Sequence, residues 1–128
     1  MRIRTAPWGL ADIQLTYDPP VQSAAELAPV REEKADGPDL AVCWKQPEPA
    51  RKLVNLQGIP ILIVTTESSQ HAVYDHCTSK YLAQAGVPNT FVRLEDVGIR
   101  GNGHMLMIEK NNLEIAEFIA TWVEKSIH

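Results

Sequence analysis

The run IPILIVTTE, residues 59–67, constrains this chain more than any other stretch. It is apolar, β-branched and continuous rather than alternating. A strand that alternates has one face in water. A strand that does not alternate predicts burial on both faces, as in a parallel sheet covered by helices. The next segment fits that requirement. In HAVYDHCTSKYLAQAG, Tyr74, Cys77, Tyr81 and Ala85 recur at spacings of three and four, which predicts one apolar helical face. Gly86 is a helix stop signal. NTFVRLEDV, residues 89–97, reads as a second strand, more alternating and so further out. Then comes a glycine-studded loop carrying His104. NNLEIAEFIATWVEKSI closes the chain as a helix whose buried stripe is expected to be Ile115, Phe118, Ile119, Trp122 and Val123. Asn111 and Glu114 there have the spacing of a capping box. Two strands joined by such a helix are expected to run parallel. Two parallel strands do not stand alone as a sheet, so the pattern suggests an incomplete one.

Residues 1–49 are written differently. Seven of the nine prolines (Pro7, Pro19, Pro20, Pro29, Pro38, Pro47 and Pro49) fall there. Proline removes a backbone donor and disfavours helix just before it, so long regular elements are not expected. SAAELA predicts one short helix capped by Ser23, and REEKADGPD reads as a solvated loop. Trp8, Leu10, Ile13, Leu15, Tyr17 and Trp44 are too apolar for a free linker. This segment is expected to be an ordered, lid-like loop layer, with residues 50–128 forming the strand-helix-strand-helix part. ARKLVNLQG leads into the second part as a short helical or extended piece.

The remaining bulk properties mainly exclude. The 128 residues suit one domain, and a net charge of −4 argues against nucleic acid or an anionic membrane as the main partner. No apolar run approaches the roughly 18 residues of a membrane span. The start, MRIRTAPWGLADIQ, is basic but has no apolar segment, so it does not read as a signal peptide. As written, the chain would stay in the cytoplasm where it is made, although a longer parent could be exported. Cys43 and Cys77 could pair, but nothing fixes their spacing. They read as buried free thiols.

His71, Asp75 and His76 raise the question of a metal site, but residue 76 is turned about 100° from residue 75 on a helix. There is no Cys/His cluster of recognised spacing, so neither metal nor cofactor is expected. GIRGNG lacks the lysine of a phosphate-binding loop.

GIPILIVTTESSQ, AVYDHCTSKYLAQAGVPNTFVRLEDVG and GNGHMLMIEKNNLEIAEFIATWVEKS together resemble the C-terminal end of the α/β-hydrolase fold. They match its penultimate core strand, the next helix and last strand, then the histidine loop and terminal helix. APWGLADIQLTYDPP resembles, more loosely, the insert ahead of the penultimate strand in an esterase-like branch. The resemblance implies a serine hydrolase that cleaves small-molecule carboxylic esters through an acyl-enzyme. It also implies that His104 is the general base, held on a loop above the sheet with its ring free. Gly101 and Gly103 would let that backbone turn and approach its neighbours.

The rest of the machinery is harder to find. Gly-x-Ser-x-Gly is needed at a strand-to-helix elbow. None of Ser23, Ser68, Ser69, Ser79 and Ser126 has glycine two residues away on either side. Cys77 lies mid-helix, a poor place for a nucleophile. The expected nucleophile therefore lies upstream of residue 1. Matching ILIVTTESSQ to the family's Gly-Glu-x-Asp-type loop puts Thr66 at the glycine and Ser69 at the aspartate. Three sources of the triad acid remain. The preferred one is a carboxylate after the preceding core strand, outside this chain; the others are Glu67 and Asp75. Trp8 and Tyr17 are candidate substrate-pocket residues, with core packing as the plainer role. The chain alone is expected to be inactive. The alternative is a non-catalytic module that dimerises, or docks on a complementing N-terminal half, through its open sheet edge.

Overall fold

A computed structural model describes residues 15–127. Trp8, Leu10 and Ile13 lie outside them, so the pocket role expected of Trp8 does too. Within residues 15–49 regular structure is sparse, as the prolines dictate. It consists of helix α1 (Ala24–Leu27) and the strands β1 (Val30–Arg31) and β2 (Trp44–Lys45), which pair antiparallel. The Ser23 side chain makes no capping bond to α1; the Glu26 carboxylate accepts from the Gln22 N–H instead, at 3.1 Å. An antiparallel bridge between Asp18 and Lys52 fastens the start of this layer to the second half.

The second half contains β3 (Leu62–Thr65), α2 (Asp75–Gln84), β4 (Thr90–Arg93) and α3 (Asn112–Ser126). Strands β3 and β4 pair in parallel, Leu62 opposite Thr90 through Thr65 opposite Arg93. Side chains alternate across this sheet. Ile61 and Ile63 pack on a core of Tyr17, Leu27, Leu53, Tyr81, Leu82, Ala85 and Val87, largely from α2 and the loop layer. Val64 and Val92 face the other way, onto Leu94, Ile99 and Ile115 with Phe118 and Ile119 of α3. Both faces of β3 are therefore engaged, as the unbroken apolar run requires. Yet only Thr65 is fully buried, while Leu62, Ile63 and Val64 are intermediate. The reason is the sheet itself, which among the described residues has two strands, each with one unpaired edge.

Several local expectations need correction. Helix α2 begins at Asp75, not His71, because residues 69–75 form successive tight turns (Ala72 N–H to Ser69 O, 3.0 Å; Tyr74 N–H to His71 O, 3.0 Å). Asp75 is thus the first residue of the helix. The helix ends as Gly86 predicts: Gly86 has φ +78°, and the Val87 N–H reaches back to Leu82 O at 2.9 Å. The second strand stops at Arg93 and tightens into a 3₁₀ turn over Leu94–Val97. On α3, Ile115 is buried and Phe118, Ile119 and Trp122 are partly covered, but Val123 is exposed. Asn111 makes no capping bond to the α3 backbone. Its side chain pairs with Asn102 instead, accepting from Asn102 Nδ2 at 2.6 Å and donating to Asn102 Oδ1 at 3.3 Å. That pair ties the histidine loop to the start of α3.

The two cysteines are not free. Cys43 and Cys77 form a disulfide that joins the loop layer, just before β2, to α2. Their pairing depends on how the loop layer lies across α2, which the spacing of two cysteines does not express.

Candidate functional site

His104 lies in the loop between β4 and α3, and its ring is exposed. Gly101, three residues earlier, has φ +77°, a conformation that disfavours any side chain. Gly103 allows a close approach: its N–H donates to Glu109 Oε1 at 2.7 Å, and a Cβ there would meet that same oxygen at 3.1 Å. Over residues 102–104 the loop after β3 grips this segment at three points. Ser68 N–H donates to Asn102 O at 3.0 Å, and Thr66 Oγ1 donates to Gly103 O at 2.9 Å. The third point is the side chain of His104 itself, whose Nδ1 lies 3.0 Å from Ser69 Oγ.

Ser69 is nearly buried, at 7% exposure. Its hydroxyl oxygen also accepts the His71 backbone N–H at 3.0 Å. The His71 ring stacks on that of His104, with centroids 4.3 Å apart and planes 20° from parallel. His71 Nδ1 in turn faces Asp75 Oδ1 at 3.3 Å. Among the described residues, Nε2 of His104 makes no hydrogen bond, so that nitrogen is available to a partner or substrate.

The two carboxylates considered as the acid go elsewhere. Glu67 accepts from the Gly101 N–H at 2.9 Å and pairs with Arg100. The Gly101 bond, helped by the Arg100 charge, holds its carboxyl below the usual range against a smaller opposing effect of desolvation. Asp75 is bonded to His71, one ring removed from His104. Neither is hydrogen-bonded to His104. Tyr17 is in the core at 6% exposure, its hydroxyl 2.9 Å from that of Tyr81, and burial pushes its ionisation up. Among the described residues its surroundings are those of the core cluster with Leu53, Tyr81 and Val87. A charged groove of about 480 Å³ runs among Arg31, Glu32, Asp36, Lys45 and Lys80 and includes none of the expected site residues.

Ser69 and His71 are the residues that sequence reasoning did not assign to the site. For Ser69 a signal existed, because family spacing places it at the aspartate position. For His71 there was none, since its stacking depends on the turn at 69–75.

The chain is 46% identical over 123 residues to a protein described as a probable secreted lipase, phiG, from a fungal species (strain ATCC 74256). The matched region is 95% of this chain but 34% of that relative, so the chain spans about a third of its length. At this identity the chain is homologous to part of that relative. No family model matches it. No solved structure matches it either.

Proposed function

We propose that this chain is the C-terminal portion of an esterase-like α/β hydrolase and contributes the general base, His104, to carboxylic ester hydrolysis. The observation that carries the proposal is the His104 ring. It is exposed, fixed at Nδ1 by Ser69, and open at Nε2, on a loop that leaves the end of a parallel strand. A base that takes a proton from a serine hydroxyl needs that arrangement. The serine, the oxyanion donors and a charged acid would come from outside these 128 residues. The serine would attack the ester carbonyl as His104 Nε2 receives its proton. His104 would then return the proton to the departing alcohol, and water would release the acid by the same exchange. The homology to a probable secreted lipase supports this reading. The Cys43–Cys77 bridge adds that the working protein belongs in an oxidising compartment.

The test is p-nitrophenyl butyrate hydrolysis and fluorophosphonate labelling of the 128-residue chain. The expected outcome is neither turnover nor label, because Nε2 has no hydroxyl to activate. A label mapped to Ser23, Ser68, Ser69, Ser79 or Ser126 would overturn the proposal.

The edges of β3 and β4 that are unpaired among the described residues favour a second reading. A hydrolase-derived module could use such an edge to dimerise or to dock on a complementing partner. Light scattering that finds a monomer at all accessible concentrations counts against dimerisation.

A further inference from the structure

The Nδ1 side of a base histidine decides which nitrogen carries the proton, and hence whether Nε2 can accept one. We propose that Ser69 is the positioning residue of His104: its hydroxyl oxygen accepts the Nδ1 proton and holds the ring in the tautomer that leaves Nε2 bare. This rests on the reading of His104 as a base. The argument starts from the serine's own restraints. Ser69 N–H is bonded to Thr66 O at 3.1 Å, which closes a turn directly after β3. The side chain is 7% exposed, and the His71 N–H donates to Oγ at 3.0 Å. A hydroxyl oxygen offers two acceptor sites. The backbone takes one, and Nδ1 of His104 stands 3.0 Å away for the other. One acceptor site of the oxygen is left for Nδ1, and the ring tautomer decides which of the two groups donates.

Two further features fix the ring. The bonds from Thr66 and Ser68 hold the backbone at Gly103 and Asn102, immediately before His104. The His71 ring, itself bonded to Asp75, lies flat against the imidazole and limits its rotation. Ser69 therefore supplies orientation without charge. A carboxylate at this position would do both, because it also offsets the imidazolium. In this chain the two tasks are separated. Asp75 addresses the stacked His71 rather than His104.

The experiment is a two-bond ¹H–¹⁵N correlation spectrum of the uniformly labelled 128-residue chain, at a pH where the imidazoles are neutral. In the wild type, His104 is expected to show a protonated Nδ1 and a bare Nε2. Ser69→Ala is expected to shift the population towards the form protonated at Nε2. Ser69→Thr, which keeps a hydroxyl, is expected to restore the wild-type pattern. Unchanged backbone amide and His76 ring signals report that the variants are folded. A wild-type ring already protonated at Nε2 overturns the proposal without needing any variant, and so does an Ala variant with an unaltered tautomer. Failure of the catalytic reading looks different. The tautomer responses would stand as expected while His104 proved dispensable in an active, full-length context.

Discussion

His76 sits 7% exposed against the Cys43–Cys77 bridge, its Nε2 3.3 Å from Cys43 Sγ. Burial holds its ring proton affinity below the ordinary value, and the nearby Asp36 carboxylate offsets this only in part. The unfolded ring accepts a proton below about pH 6.5, and the folded ring resists it. A group of this kind adds stability above its unfolded pKa and loses it as pH falls towards the folded one. The urea midpoint should therefore drop between about pH 7.5 and about pH 5.5, and His76→Asn should flatten that drop. Equal slopes in both proteins would assign the acid sensitivity to other groups. The residue scale also shows what spacing can and cannot convey. Ser69 aligns with the aspartate of the loop pattern that the sequence resembles, but that alignment gives a serine no role. His71 was not legible, because its ring reaches His104 through the turns at 69–75, which no periodicity encodes.

At the scale of elements, the regular half followed from its own side chains. The unbroken run at 59–67 needs helices on both sides, and α2 and α3 supply them through the Ile63 and Val64 faces of β3. The Tyr74–Cys77–Tyr81–Ala85 spacing marks the face of α2 that packs inward: Cys77, Tyr81 and Ala85 are buried. The boundaries were less legible, since helix starts and strand ends are set by contacts distant in sequence. Asn111 does reach Glu114, at 3.5 Å, but through its side-chain amide rather than as a backbone cap, and the same side chain pairs with Asn102. The disulfide is the clearest case of this kind, because residues 34 apart meet only once the loop layer lies on α2. Closing a loop of that length should stabilise the chain by roughly 3–4 kcal/mol. Urea unfolding of the Cys43→Ser/Cys77→Ser variant should show a loss of that size. A loss below about 1 kcal/mol would mean that the layer is held mainly by its other contacts, such as the Tyr17–Tyr81 bond and the Lys80 pairs with Glu32 and Asp36.

At the scale of the whole molecule, the fold has a candidate base, a set of loops to hold it, and a sheet with two open edges among the described residues. Large apolar side chains stand exposed beside the histidine loop and along α3: Met107 at 64%, Ile108 at 77% and Leu113 at 81%. A group of that kind suits a surface that another body covers. The most direct measurement of the central claim places this chain in a complete context. A chimera would carry residues 1–128 in place of the homologous third of the probable secreted lipase. The account predicts that it hydrolyses p-nitrophenyl butyrate and reacts with a fluorophosphonate. It also predicts that His104→Ala lowers kcat by about 10³-fold or more while the melting temperature stays unchanged. A folded His104→Ala chimera that kept its parent's kcat would contradict the account.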